Sequence, residues 1–156
     1  MNAKNRAIIL AGGLGRRLLP YTFKVPKPMV PIQNKPIIEI LINQLIRHRF
    51  QHITICLGHQ SHIIKEYFDK KKFKIKIDFT FEKKPLGTIG PLKLINDLPE
   101  NFLLMNGDIL TDLNFSRIFN KHISNKNIFT INSFERSERV DFGVIEINKN
   151  KIVKNF

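Results

Sequence analysis

The sequence predicts an α/β fold, a Rossmann-like doubly wound sheet of mostly parallel strands, and three observations carry that reading. First, short apolar runs stop at glycine: Ala7-Ile8-Ile9-Leu10-Ala11 at Gly12-Gly13, Ile53-Thr54-Ile55-Cys56-Leu57 at Gly58, and Phe102-Leu103-Leu104-Met105 just before Asn106-Gly107-Asp108. Continuous apolar runs mark strands buried on both faces, and parallel sheets are their usual home. Second, stretches with helical spacing separate these runs. Third, the resulting alternation of strand and helix places a site at the C-terminal ends of the strands. No internal repeat, linker or boundary divides residues 1–156, which read as a single domain.

Taken in order, the run Ala7 to Ala11 is the first strand. A proline-punctuated stretch follows (Pro20, Pro26, Pro28, Pro31), and Pro36 suits the first turn of a helix with apolar Ile37, Ile38, Leu41, Leu45 and Ile46, ending near Phe50. The second strand is Ile53 to Leu57. Ser61 is placed to cap a short helix carrying Ile63, Ile64, Tyr67 and Phe68. Alternating Phe73, Ile75, Ile77, Phe79 and Phe81 predict the third strand, and Thr88 to Asn96 a further short helix. Phe102 to Met105 is the fourth strand. A helix around Phe115 to His122, a strand from Ile128 to Ser133, and strand-like pieces Phe142 to Ile147 and Lys151 to Phe156 complete the expectation.

A chain of 156 residues, 42% hydrophobic and 10% aromatic, is long enough for a sizeable core and unlike a disordered one. No apolar run approaches the roughly 18 residues that cross a bilayer. The single cysteine, Cys56, makes no internal disulfide, and Met1 to Arg6 lead straight into a strand rather than a signal-peptide apolar region. A soluble, cytoplasmic protein is the expectation. Twenty-six basic and 13 acidic residues leave a net charge of +13, which raises nucleic acid or an anionic membrane as partner. Abundant Lys, Asn, Ile and Phe with no Trp, however, is the composition of an AT-rich coding sequence. Lys70-Lys71-Lys72 and Lys83-Lys84 are short loop runs without the interleaved aromatics of single-strand binders, so neither nucleic acid nor membrane is the expected partner.

The strongest local feature is Leu10-Ala11-Gly12-Gly13-Leu14-Gly15-Arg16-Arg17-Leu18, a glycine-rich loop directly after the first strand. Glycines let backbone N–H groups approach a polyphosphate, while Arg16, Arg17, Lys24 and Lys27 supply positive charge. Alone, such a loop also reads as a tight turn with solvated arginines. A Walker loop is excluded because no Lys-Ser or Lys-Thr pair follows the glycines. A dinucleotide fingerprint is excluded too, since Leu57-Gly58-His59 stands where an acidic residue would close the second strand. His59 and His62, three apart without a Cys or carboxylate at matching spacing, read as solvated rather than metal-binding, and Cys56 as a small apolar filler.

Five segments in order, the glycine loop, Val25-Pro26-Lys27-Pro28-Met29, Glu82 with Pro85-Leu86-Gly87-Thr88-Ile89-Gly90, Asn106-Gly107-Asp108, and Phe142-Gly143-Val144, resemble the signature of the sugar-1-phosphate nucleotidyltransferases, of the mannose-1-phosphate guanylyltransferase type. The resemblance covers nearly the whole chain. It implies the nucleotide-diphospho-sugar transferase fold and transfer of a nucleotidyl group from an NTP to a sugar 1-phosphate, giving NDP-sugar and pyrophosphate. It further implies that Leu10, Ala11, Gly12, Gly13, Gly15 and Arg16 hold the nucleotide, that Arg17 grips the triphosphate, and that Lys27 bridges the phosphates of both substrates. Asp108 would ligate Mg²⁺, Gly107 would join the residues that hold the nucleotide, and Gly143 would lie on the sugar side. Glu82, Pro85, Gly87 and Thr88 would read the base. A carboxylate only accepts hydrogen bonds, which suits guanine's N1–H and amino group better than uracil or thymine and favours GTP, unless Glu82 pairs with Lys83 or Lys84. A homo-oligomer is compatible with the resemblance.

Two departures stand out. Arg16 occupies a position where the family usually has threonine, and the sequence stops at Ile152-Val153-Lys154-Asn155-Phe156, where family members continue into a Glu-Lys-Pro segment and a second metal-binding aspartate. The expectation is therefore a C-terminally truncated domain that binds nucleotide, with turnover not expected from these residues alone. The alternative reading is a non-catalytic nucleotide-binding fragment or regulatory module.

Overall fold

Burial drives the architecture: the apolar run at the N-terminus becomes the strand on which the sheet is assembled. The structure, a computed structural model, describes residues 5–15, 18, 20–137, 143 and 145–155. Strand β1 spans Arg6–Ala11, a small antiparallel ladder joins β2 (Pro31–Ile32) to β3 (Lys35–Pro36), and α1 runs Ile37–Arg47. Then follow β4 (His52–Leu57), α2 (Ser61–Lys70), β5 (Lys76–Phe81), a 3₁₀ turn at Gly90–Leu94, β6 (Leu103–Asn106) and α3 (Phe115–Ser124). An antiparallel pair, β7 (Glu146–Ile147) and β8 (Val153–Asn155), comes last.

The main sheet has the order β5-β4-β1-β6, and its pairings are parallel throughout. Successive strands β1, β4 and β5 are laid down in one direction, and β6 then returns to the other side of β1. That reversal opens a crevice between the strand ends of β1 and β6, the place where ligands bind in open α/β sheets. The expected doubly wound order is thereby realised.

Both faces of β1 are covered, as its unbroken apolar run requires. Ala7, Ile9 and Ala11 join Ile53, Ile55 and Leu57 in a core filled by Ile38, Leu41, Ile42 and Leu45 of α1, Ile64 and Phe68 of α2, and Phe115 and Phe119 of α3. Ile8 and Cys56 face the other way, packing with Ile95, Leu92 and Leu104 beside the 3₁₀ turn. Burial pushes the Cys56 thiol pKa up, which suits an inert core residue. On this second face Arg6 is buried without being orphaned: its guanidinium donates to Thr54 Oγ1 at 2.6 and 3.0 Å and to the Asp97 carbonyl at 2.8 Å, and pairs with the Asp97 carboxylate at 3.0 Å.

Several expectations need correction. Pro36 ends β3 and precedes α1 rather than occupying its first turn, and that helix stops at Arg47, where Arg49 with φ 62° has already turned the chain. Ser61 is the first residue of α2, not its cap; Gln60 holds the cap position in a left-handed conformation. Strand β5 begins at Lys76, with Phe73 and Ile75 packing on the core before it, and Thr88 to Asn96 holds only the 3₁₀ turn. Ile128 to Ser133 is not a strand. Its β-branched and aromatic residues favour strand only where a ladder partner exists, and Ile128, Phe129 and Ile131 instead stand exposed. Of the final pieces, only Glu146–Ile147 and Val153–Asn155 are strand; Phe142, Val144 and Phe156 lie outside the described residues. Among the described residues no helix is long and apolar enough to cross a membrane.

One buried polar residue couples α1 to α2. Glu39 accepts from the Tyr67 hydroxyl and from Lys71 Nζ at 2.5 Å. Burial opposes its ionisation, but the hydrogen bonds from Lys71 and Tyr67, with the charge of Lys71, outweigh burial and hold the carboxyl below its ordinary value of 4.5. Because the folded value is lowered, the contribution is full above pH 4.5 and lost as pH falls through the folded value. Glu39→Gln should cost about 1.5–3 kcal/mol near neutrality, typical of a charge-assisted hydrogen bond, and flatten the acid limb of stability against pH in urea unfolding. An unchanged acid limb would show that this contact is not part of the acid response.

Candidate functional site

All four strands of the parallel sheet deliver residues to one cleft of about 850 Å³, within the size range of small-molecule sites. Leu10, Ala11, Gly12 and Gly13 come from the end of β1, Gly58 and His59 from the turn after β4, and Glu82, Lys83, Lys84, Pro85, Gly87 and Thr88 from the loop after β5. Asn106 and Asp108 come from the end of β6. Leu14, Gly15, Lys27, Pro28 and Pro91 complete the wall.

The glycines answer to close approach. A Cβ on Gly58 would lie 2.8 Å from the Gly12 carbonyl oxygen, so the turns leaving β1 and β4 touch backbone to backbone. The His59 N–H donates to that same oxygen at 3.3 Å. A Cβ on Gly12 would meet Glu82 Oε1 at 2.4 Å, so the carboxylate lies directly over the glycine. Gly15 and Gly87, with φ of 61° and 80°, hold the left-handed turns that glycine favours.

Glu82 is held from two sides. Its N–H donates to the Leu57 carbonyl at 2.8 Å, extending the ladder, and its Oε2 accepts from the Leu86 N–H at 3.0 Å, which closes the loop Glu82 to Leu86. The expected alternative, an ion pair with Lys83 or Lys84, does not form among the described residues. Oε1 is left toward Gly12.

Lys27 opens a 3₁₀ turn, Lys27–Met29, between two buried prolines. Pro26 fixes the approach at φ −62°, and the Met29 and Val30 N–H groups bond back to Pro26 and Lys27 carbonyls at 2.7 and 3.1 Å. The lysine's backbone is thus fixed while its side chain reaches across the cleft. Nζ meets Asp108 Oδ2 at 2.5 Å, with the two side chains 31% and 25% exposed. Asp108 follows Gly107, a buried residue whose N–H donates to the Leu10 carbonyl at 2.8 Å and at which a Cβ would stand 3.1 Å from Ile9 Cγ2 and 3.3 Å from Ala11 Cβ. With three lysines and two carboxylates on its walls, the cleft suits an anion.

Of the residues singled out in the sequence, the structure places Leu10, Ala11, Gly12, Gly13, Gly15, Lys27, Glu82, Pro85, Gly87, Thr88 and Asp108 on one cleft. Gly107 lies beneath the floor rather than in it, and exposed Gly143 and Lys24 are not among the lining residues. Arg16 and Arg17 lie outside the described residues. Sequence reasoning missed Gly58 and His59 as walls of the cleft. The glycine ending the second apolar run signalled Gly58, but its contact with Gly12 is visible only once the two strands are paired.

The family model for nucleotidyl transferases matches residues 6–156. The chain belongs to the nucleotidyl transferase family. Among curated relatives of this family, it is 32% identical over 149 residues to the D-glycero-alpha-D-manno-heptose 1-phosphate guanylyltransferase of Aneurinibacillus thermoaerophilus, covering 94% of this chain and 65% of that protein. It is 31% identical over 155 residues to mannose-1-phosphate guanyltransferase beta-B of Xenopus laevis, covering 94% of this chain and 43% of that one. The chain thus spans about two thirds of the first relative and under half of the second. A crystal structure of HddC from Yersinia pseudotuberculosis, complexed with GMP-PN, matches with a TM-score of 0.68 at 32% identity over 76% of this chain and 54% of that one. A UDP-glucose pyrophosphorylase from Acinetobacter baumannii matches with a TM-score of 0.69 at 19% identity, a likeness of fold.

The Gly12 and Gly58 contact yields a prediction. Gly58→Ala drives a methyl into backbone that cannot rotate away, so it should cost about 1–3 kcal/mol of stability, as overpacking does. Gly12→Ala chiefly meets the Glu82 carboxylate, a side-chain end that can shift at the expense of its bond to the Leu86 N–H, with Gly58 N 3.3 Å away, and should cost less than Gly58→Ala. Thermal unfolding of both variants checks this; equal losses would contradict the assignment of backbone to one contact and side chain to the other.

Proposed function

We propose that this cleft binds a nucleoside triphosphate, with GTP preferred, and that the protein transfers its nucleotidyl group to a sugar 1-phosphate, giving an NDP-sugar and pyrophosphate. The observation that carries this reading is the convergence of Gly12, Gly13, Lys27, Glu82 and Asp108 on one cleft at the reversal point of a parallel sheet. The relatives, named as heptose and mannose 1-phosphate guanylyltransferases, and HddC complexed with GMP-PN, support both the reaction class and the base.

In this reading the base lies toward Glu82 and the loop Pro85 to Thr88, where a carboxylate oxygen accepts from guanine N1–H and the exocyclic amino group. The triphosphate lies along Gly12 and Gly13, where N–H groups approach without Cβ obstruction, and takes charge from Lys27 and, by sequence, Arg17. An oxygen of the sugar 1-phosphate attacks the α-phosphorus in line. As that bond forms, the bond from the α-phosphorus to the oxygen bridging it to the β-phosphorus breaks, and pyrophosphate leaves with the electron pair. Lys27 cancels charge on both phosphate groups, and the fixed cleft supplies positioning. Gly143 is assigned to the sugar side on the family resemblance.

Asp108 fits Mg²⁺: its carboxylate already accepts a cation, Lys27, at 2.5 Å, and a magnesium site needs only one or two carboxylates beside phosphate oxygens and waters. The described residues hold no cluster of three His, Cys, Asp or Glu side chains that could hold a metal ion. When bound there the ion would neutralise phosphate charge. A cytoplasmic location accompanies this proposal, as do a single domain and small-molecule rather than nucleic-acid or membrane partners.

GTP should raise the melting temperature more than UTP or dTTP at equal concentration, and Glu82→Gln should erase most of that difference while leaving UTP unaffected. Lys27→Ala should weaken GTP binding by about 1.5–3 kcal/mol. Asp108→Asn should retain metal-free GTP binding and lose the gain that Mg²⁺ adds, read by calorimetry with and without the ion. Pyrophosphate release from GTP and mannose 1-phosphate with Mg²⁺ tests the reaction. GTP binding without release would leave the alternative reading, a nucleotide-binding module, and absence of GTP binding would overturn both.

A further inference from the structure

The glycine loop is held in part by residues that do not line the cleft, Gln60 and Thr22. At its near end, Gly12 rests against Gly58, and its carbonyl accepts from His59 N–H. The next residue of that turn, Gln60, sits in the left-handed region at φ 53° and ψ 31°, a conformation costly for a side chain with a Cβ. Its amide Nε2 reaches back to donate to the Phe23 carbonyl at 2.9 Å, and its Oε1 is buried without a hydrogen-bond partner. Strain at the backbone and an unmatched acceptor at the side chain both accompany this one tether to the segment beyond the loop. Beside Phe23, Thr22 is 3% exposed and donates from Oγ1 to the Gly15 carbonyl at 2.9 Å. A Cβ on Gly15 would stand 3.0 Å from Thr22 Cγ2, so the threonine packs against the turn it bonds.

From this geometry we infer that Gln60 and Thr22 are positioning residues for the triphosphate site: the turn after β4 holds Gly12 through Gly58 and His59 and, through Gln60, holds Phe23 in the segment beyond the loop, while Thr22 bonds the turn at Gly15. The inference rests on the nucleotide reading for the ligand's identity, and on the hydrogen bonds above for the brace. Neither Gln60 nor Thr22 touches the cleft. Their effect on binding runs through the placement of Gly13 and Gly15, which do line it. A loop held before the ligand arrives loses less freedom on binding, so loosening the brace lowers affinity.

The left-handed conformation of Gln60 makes its role separable from folding. Gln60→Gly relieves the backbone and removes the tether, so its melting temperature should match or exceed that of the parent. Amide hydrogen exchange at Gly13 to Gly15 should nevertheless quicken by about tenfold, and GTP affinity fall by about fivefold to tenfold, the scale of one hydrogen bond. Thr22→Val should behave likewise at the loop, and Thr22→Ser should restore parental exchange and affinity. Unchanged exchange in Gln60→Gly and Thr22→Val overturns the brace, whatever happens to binding. Quickened exchange with parental GTP affinity overturns the positioning role. A parent protein that fails to bind GTP overturns the nucleotide reading instead, and exchange in the free protein still decides whether the brace exists.

Discussion

The backbone contact between Gly12 and Gly58 is the constraint on which the site depends. The turns that leave β1 and β4 can come this close only without side chains, since a Cβ on Gly58 would stand 2.8 Å from the Gly12 carbonyl. From that contact the rest follows by short steps. The space above Gly12 is filled by the Glu82 carboxylate, whose backbone is bonded to the last residue of β4. Gly12, Gly13 and Gly15 then line the cleft, with the Gly15 carbonyl accepting from Thr22 and the Phe23 carbonyl from Gln60.

The sheet order converts these local contacts into a site. Four parallel strands put their C-terminal ends on one edge, so residues far apart in sequence become neighbours: Gly12 from β1, Gly58 from β4, Glu82 from β5 and Asp108 from β6. Lys27 enters from a proline-braced turn and meets Asp108 across the cleft. That ion pair gives the free protein an internal balance of charge at the cleft. In the proposed reaction phosphate would partner the lysine and a cation the carboxylate.

Much of this was legible in the sequence because strong signals are local. The apolar runs ending at Gly12, Gly58 and Asn106 marked the buried strands, and the glycine loop, Lys27, Glu82 and Asp108 were marked by their chemistry and by family resemblance. What escaped was set by contacts between distant segments. Gly58 and His59 look like an ordinary strand stop until β1 and β4 are paired, and Thr22 and Gln60 have no sequence signal at all. Ile128 to Ser133 misled for the opposite reason: its β-branched and aromatic residues suit a strand, but strand requires a partner, and this segment bonds none in a ladder. Ser61 resembled a helix cap, yet the chain reaches α2 through Gln60, whose side chain is turned to Phe23.

The central claim is that the anion this basic protein binds is a nucleotide seated in one cleft, rather than any polyphosphate spread over a +13 surface. Backbone amide chemical shifts, followed by NMR as GTP and Mg²⁺ are added at physiological salt, test it most directly because they map the contact residue by residue. The account predicts saturable shifts at Gly12, Gly13, Gly58, Glu82 and Gly87, with the lysine-rich end of α2 and the β7–β8 pair unmoved. Shifts centred on Lys70, Lys71 and Lys72, with the glycine amides stationary, would contradict it.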